Sequence, residues 1–203
     1  GTSFKKDQYN IVTQGRRQPG SSFKPFVYTT ALLRGYTPTT TVFDRHTSYP
    51  SGSGKPWAPR NSDGRYMGAM QLQRALWLSR NAAAVNIAAD IGITNVITTA
   101  NAMGIKSELV PVLPTAIGAT AVTPLEICNG YGVLANHGVH HPPVGIMKIT
   151  TPDGHDVLYE YRPRGRRILP AKIADTMKEV MRGVIERGTA TRARCPFPAS
   201  GKT

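Results

Sequence analysis

The chain has 203 residues, 40% of them hydrophobic and 18% charged, enough for one domain with a real core or most of a larger one. No stretch approaches the roughly 18 apolar residues of a membrane-spanning helix, because Asn86 and Asp90 interrupt even the run from Ala82 to Ile93. The net charge of +13 calls for an anionic partner or surface. The basic residues are scattered, however, with no zinc-ligand spacing, helix-turn-helix signature or aromatic-basic pattern, so nucleic acid is not an expected partner.

The chain opens on Gly1 with no signal-peptide pattern and reads as an internal piece of a longer protein. Residues 1–20 are polar. A helix is predicted from Ser21, within a residue or two, and Phe23, Phe26, Val27, Thr30, Ala31 and Leu33 surround enough of it to imply burial. Pro25 is tolerated in the first turn, and Gly35 is the stop. From Thr37 to Gly68 the chain is rich in Thr, Ser, Gly, Pro and Asn, which predicts an extended surface crossing with short strands at most.

Helical spacing returns from Gln71 to Leu78, then in an Ala-rich helix from Asn81 to near Gly92, then from Thr94, taken as the cap, to Met103. Thr123-Pro124-Leu125-Glu126 has the form of a capping box and starts a helix that stops near Gly138. Val144 to Thr150 and Val157 to Tyr161 flank Pro152-Asp153-Gly154, a hairpin signal. Arg162, Arg164, Arg166 and Arg167 read as a basic loop, and Pro170 to Arg187 as an amphipathic helix. Helices and strands are segregated, which is α+β. Cys128 is expected as a buried free thiol, and nothing in the sequence supports a disulfide with Cys195. The five histidines lack ligand spacing and read as solvated loop residues; no metal or other cofactor is expected.

Three short patterns carry chemistry when taken in order: Ser21-Ser22-Phe23-Lys24, Ser79-Arg80-Asn81, and Lys202-Thr203. Ser-x-x-Lys alone is unspecific, since Ser3-Phe4-Lys5-Lys6 matches it too. With Ser21 at a helix start, Lys24 lies on the same face, within reach of the hydroxyl. A serine hydroxyl becomes a good nucleophile only when a base takes its proton, and a lysine serves only if burial or a nearby cation lowers its pKa. The apolar helix is the candidate source of the first and Lys202 of the second. Ser79 suits a proton relay, and the Asn81 amide suits both a lysine and a substrate carbonyl. Lys202 and Thr203 offer a cation and a hydroxyl to a carboxylate. Singly, capping explains the first two patterns, with Ser21 or Ser22 and Asn81 as helix caps and Lys24 as a solvated side chain, and Lys202-Thr203 means nothing as a bare dipeptide; the ordered set is specific.

That set resembles the one shared by penicillin-recognising serine acyltransferases. Arg16-Arg17-Gln18-Pro19-Gly20-Ser21-Ser22-Phe23-Lys24-Pro25-Phe26 is similar to the active-serine segment of class A, bifunctional penicillin-binding proteins. Pro59-Arg60-Asn61-Ser62-Asp63-Gly64 resembles the stretch these carry before their second motif. Leu113-Pro114 to Gly118, Thr123 to Glu126 and Leu134 to Gly138 resemble the helical region after it.

The resemblance implies a β-lactamase/transpeptidase-like fold, an antiparallel sheet flanked by helices. Residues 1–203 are expected to form one transpeptidase domain, incomplete at both ends and lacking its last strands and C-terminal helix. It further implies that Ser21 attacks the D-Ala-D-Ala carbonyl of a peptidoglycan stem peptide, and that an amine acceptor resolves the acyl-enzyme into a cross-link. Lys24 is the implied base, Ser79 the relay to the leaving group, and Asn81, Lys202 and Thr203 the substrate anchors. β-Lactams are expected to acylate Ser21.

The motif's usual next residue, Gly, would follow Thr203, so the fragment is expected to be inactive alone. The parent protein is expected to carry a glycosyltransferase domain and a membrane anchor before Gly1, and to work at the outer face of the bacterial inner membrane. A β-lactam-binding sensor or non-catalytic penicillin-binding module is the alternative. A class A β-lactamase is disfavoured because no Glu-x-x-Leu-Asn lies between Asn81 and Lys202.

Overall fold

The structure, a computed structural model, describes residues 3–6, 8–52 and 54–203. A 3-10 turn over Gly20–Phe23 runs directly into α1, Lys24–Leu33, with Pro25 in its first turn. Every residue of α1 from Lys24 to Leu32 is buried, and only Leu33 reaches solvent. The helix packs on α3 (Asn81–Ile91), α4 (Ile93–Ala102) and α6 (Ala171–Arg187), which is why its sequence is apolar nearly all round. Fully burying a side chain such as Phe26 stabilises by about 1.5–3 kcal/mol. Gly35, at φ +91°, reverses the chain after α1.

Strands β1 (Thr41–Asp44) and β2 (Gly68–Gln71) pair antiparallel, with Thr41 opposite Gln71 and Asp44 opposite Gly68. The crossing between them is not only a surface excursion. Asp44 is fully buried and Asn61 nearly so. α2 (Leu72–Trp77) follows at once and packs on α6, where the Trp77 indole N–H donates to the Val180 carbonyl at 2.8 Å. The cap of α4 lies two residues earlier than the sequence suggests. Gly92, at φ +82°, occupies the cap position, and the Thr94 carbonyl inside the helix accepts the Thr98 hydroxyl.

α5 (Pro124–Ala135) starts at the expected capping box: Thr123 Oγ1 accepts the Glu126 N–H at 3.3 Å, and Glu126 Oε2 accepts the Thr123 N–H at 2.7 Å. Glu126 also accepts the N–H groups of Lys106 (2.9 Å) and Ser107 (2.6 Å) and the Ser107 hydroxyl (2.8 Å), so it ties the loop after α4 to the start of α5. Burial pushes its carboxyl up, but the bonds from Thr123, Ser107 and Lys106 outweigh burial and hold it low. Glu126→Ala is therefore expected to cost about 1–3 kcal/mol. A carboxylate with a depressed folded pKa stabilises fully above the ordinary carboxylate range and less as pH falls through it. The deficit of the variant, read by urea denaturation, should accordingly shrink from neutral to acid pH.

Cys128 is on the outer face of α5 and exposed, contrary to the expected buried thiol. The helix turns Gly130, Val133 and Leu134 inward instead, and both cysteines are free. The Arg166–Arg167 pair is not loop: it forms β6, antiparallel to β3 (Val139–His140). β4 (Lys148–Thr150) and β5 (Val157–Glu160) form the hairpin, shorter than read, with an irregularity between Ile149 and Thr150. Two histidines are not simply solvated. His137 Nδ1 lies 2.7 Å from Asp175, and His140, half-buried, lies 2.8 Å from the Asn129 amide. Among the described residues the strands form three two-stranded antiparallel ladders around a helical core. No single helix among them is long and apolar enough to cross a membrane.

Candidate active site

Ser21 sits in the 3-10 turn ahead of α1. The turn is anchored below by Phe23 and Phe26, with ring centroids 5.0 Å apart, and behind by the Tyr131 hydroxyl, which donates to the Ser22 carbonyl at 2.9 Å. Burial pushes the Tyr131 phenol up, so it stays a proton donor at every working pH. Neither Ser21 nor Ser22 caps a helix. The cap positions are Pro19 and Phe23, and Ser22 Oγ donates to the Pro19 carbonyl at 2.6 Å. The capping explanation for this pair is thereby removed.

Gly118 braces the other side of the turn. Its φ is +77°, its carbonyl accepts the Gly20 N–H at 3.3 Å, and a Cβ there would come within 2.3 Å of the Gly20 oxygen. Gly118→Ala must therefore push the residue next to Ser21 and accept a left-handed backbone that costs an L-residue about 1–2 kcal/mol. A thermal melt is expected to show that loss, and β-lactam labelling a larger, disproportionate one.

Lys24 is completely buried, and its ammonium has three acceptors. Nζ lies 2.6 Å from the Ser79 carbonyl, 2.7 Å from Asn81 Oδ1 and 3.1 Å from Ser79 Oγ. Ser79 Oγ in turn lies 3.1 Å from Ser21 Oγ. Spacing on the helix suggests a direct Ser21–Lys24 approach; the structure links them through the Ser79 hydroxyl. Burial, then the charges of Lys202 and Arg80, lower the Lys24 pKa to about 7 against an opposing pull from Asp44. Lys202 is itself lowered to about 8 by burial.

The backbone at Ser79 is unusual. Its φ is +54°, uncommon for a residue with a side chain, and its N–H is tied to the Leu76 carbonyl at 2.9 Å. Asn81 is not the cap of α3. The cap position is Arg80, and Asn61 from the β1–β2 crossing accepts the N–H groups of Asn81 (2.7 Å) and Ala82 (3.1 Å). The Asn81 side chain spans Lys24 and the Arg60 carbonyl, the latter at 2.8 Å.

Ser21, Lys24, Ser79 and Asn81 thus form one hydrogen-bonded chain, with Lys202 near enough for its charge to depress Lys24. Thr203 stands apart. It is exposed, with its hydroxyl 2.5 Å from that of Thr189, while Lys202 turns its ammonium to the Thr203 carbonyl. Residues 201–203 are in no strand; the Gly201 N–H reaches the Met181 carbonyl at 3.4 Å. The competing Ser3–Lys6 match forms an exposed turn with none of these partners. Sequence reasoning missed Asp44, Asn61 and Arg80 as the support of the second motif. The available signal was the run Pro59 to Gly64, whose polar residues had no periodicity to show burial.

A buried lysine of lowered pKa, joined through one hydroxyl to a second hydroxyl at a helix entrance, is suited to activating a serine for acyl transfer. The family model described as penicillin binding protein transpeptidase domain matches residues 2–203. Penicillin-binding protein 1A of Neisseria flavescens is 36% identical over 201 residues, which is 95% of this chain and 25% of that protein. Penicillin-binding protein 1A from Haemophilus influenzae superposes with a TM-score of 0.87 at 26% identity, over 94% of this chain and 34% of that one. Penicillin-binding protein A from M. tuberculosis, solved as an imipenem acyl-enzyme complex, superposes with a TM-score of 0.83 over 95% of this chain and 49% of that one. At 22% identity that last match speaks for the fold alone. The chain spans about a quarter of the length of the curated relative.

Proposed function

Since the chain belongs to the penicillin-binding protein transpeptidase family, in its class A form, we propose that it carries the acyl-transfer site of a serine D-Ala-D-Ala transpeptidase. The observation that supports this most is the chain Ser21 Oγ–Ser79 Oγ–Lys24 Nζ, with 3.1 Å at each step. With Lys24 neutral, the Ser21 proton passes to Ser79 Oγ as the Ser79 proton passes to Lys24 Nζ. Ser21 Oγ bonds to the penultimate D-Ala carbonyl carbon, whose C–N bond then breaks. The proton held on Lys24 returns through Ser79 to the departing D-Ala amine. An amine acceptor reverses these steps to form the cross-link, and water in its place gives carboxypeptidase hydrolysis.

Asn81 positions the substrate carbonyl and Lys24, and Lys202 receives the terminal carboxylate. β-Lactams enter the same path as substrate mimics. The protein that contains this chain would act on peptidoglycan at the outer face of the bacterial inner membrane. Its other parts would include a glycosyltransferase domain and a membrane anchor. The 203-residue chain alone is expected to acylate poorly, in keeping with the absence of any strand pairing for residues 201–203 among the described residues.

The test is turnover of a D-Ala-D-Ala-terminated peptide by the longer protein, with and without an added amine acceptor. Release of D-Ala and a cross-linked product support the transpeptidase. Stoichiometric labelling by benzylpenicillin with no peptide turnover would move the assignment to a β-lactam-binding sensor.

A further inference from the structure

The guanidinium of Arg80, the middle residue of Ser79-Arg80-Asn81, is buried at 5% exposure and spread over three acceptors. Nε meets Asp44 at 2.8 Å, Nη1 meets Asp63 at 2.8 Å, and Nη2 meets the Arg65 carbonyl. Asp44, fully buried at the end of β1, also accepts the Asn61 amide at 2.7 Å and the Met67 N–H at 2.9 Å. Asn61 then closes the circuit by accepting the N–H groups that open α3. The backbone is therefore gripped at Arg80, Asn81 and Ala82, directly after the Ser79 carbonyl, which is itself a Lys24 acceptor.

A buried, fully satisfied ion pair is a poor source of net stability compared with apolar packing, so its presence beside the reacting groups asks for another reason. Ser79 supplies one. Its left-handed backbone persists only if its surroundings over-determine it. Held there, it presents carbonyl and hydroxyl together to one ammonium.

We propose that Arg80, Asp44 and Asn61 are positioning residues for acylation, holding Ser79 and Asn81 in register with Lys24. This rests on the acyl-transfer reading of Ser21. The charged groups facing Lys24 are Lys202, Arg80 and Asp44, so the bracket acts on its protonation as well as its geometry. Arg80 favours the neutral amine, and Asp44 favours the ammonium.

The test is the second-order rate of benzylpenicillin acylation against pH, on the longer protein. Arg80→Gln is expected to slow acylation about tenfold to a hundredfold and to move the profile's midpoint upward, because a cation beside Lys24 is lost. Arg80→Lys keeps the charge but not the fork, so its rate falls while its midpoint stays. Asn61→Ala is expected to lose rate with its midpoint unmoved. Glu126→Ala, outside the site, should lose stability and keep both rate and midpoint, which separates positioning from mere weakening of the fold. Folded Arg80→Gln and Asn61→Ala proteins with wild-type rate and midpoint would overturn the proposal. If either variant fails to fold, Arg80→Lys and Asn61→Ser decide on the same readout. Failure of the unmodified protein to form any adduct strikes at the acyl-transfer reading itself, and the bracket's role falls with it.

Discussion

Ser21→Ala in the longer protein is expected to abolish the benzylpenicillin adduct and to cut D-Ala release by a factor on the order of 10⁴ or more, as loss of a covalent nucleophile does elsewhere. The fold should survive. Ser21 is half-buried, its hydroxyl meets only Ser79 among the described residues, and the turn is held by Phe23, Phe26, Gly118 and Tyr131. An inactive variant with an unchanged melting temperature separates a chemical role from a structural one. Ser22→Ala is the matched control: its hydroxyl is spent on the Pro19 carbonyl, so adduct formation should persist. Intact-mass spectra of the two variants check both statements.

The second large effect lies with Lys24. To take a proton it must be neutral, and its pKa of about 7 means that the neutral fraction grows as pH rises through that value. Acylation should climb across this range and level off above it. Lys24→Met should be slower by about 10²–10⁴ and lose that limb of the profile. Stability follows the same group. Between about 7 and the ordinary 10.5, the unfolded chain binds a proton at Lys24 that the folded chain does not. The difference in protons bound is positive for the unfolded state, so Lys24's contribution to stability rises with pH across that window. Below it, the charged amine is fully costly to bury. Stopped-flow acylation and urea melts over one pH series test the two halves together. A flat acylation profile through pH 7 would remove Lys24 from the role of base.

Much of this was legible because periodicity and caps report burial and helix starts. The apolar circumference after Ser21 announced a buried helix, and Thr123 with Glu126 announced α5. Ser21, Lys24, Ser79 and Asn81 come together because the first two motifs each fall at a helix entrance that turns them inward, whereas Lys202-Thr203 is in no regular element and Thr203 stands apart. What escaped was long-range and polar. Asp44 and Asn61 are buried by partners 36 and 20 residues away, through Arg80 and Asn81, and no local pattern marks such a pair. Cys128 was misread because a helix of mixed character does not say which face turns inward. Gly92 took the cap from Thr94 because a glycine at positive φ could make the sharp turn, 95° between α3 and α4, that Thr cannot.

The central claim is that Ser21, and no other hydroxyl, receives the acyl group. Peptide mapping of the benzylpenicillin adduct on the longer protein addresses it most directly. The account predicts one modified peptide, with fragment ions placing the added mass on Ser21 and leaving Ser22 and Ser3 unmodified. A modification mapped to Ser22, Ser3 or Ser79, or spread over several sites, would contradict it.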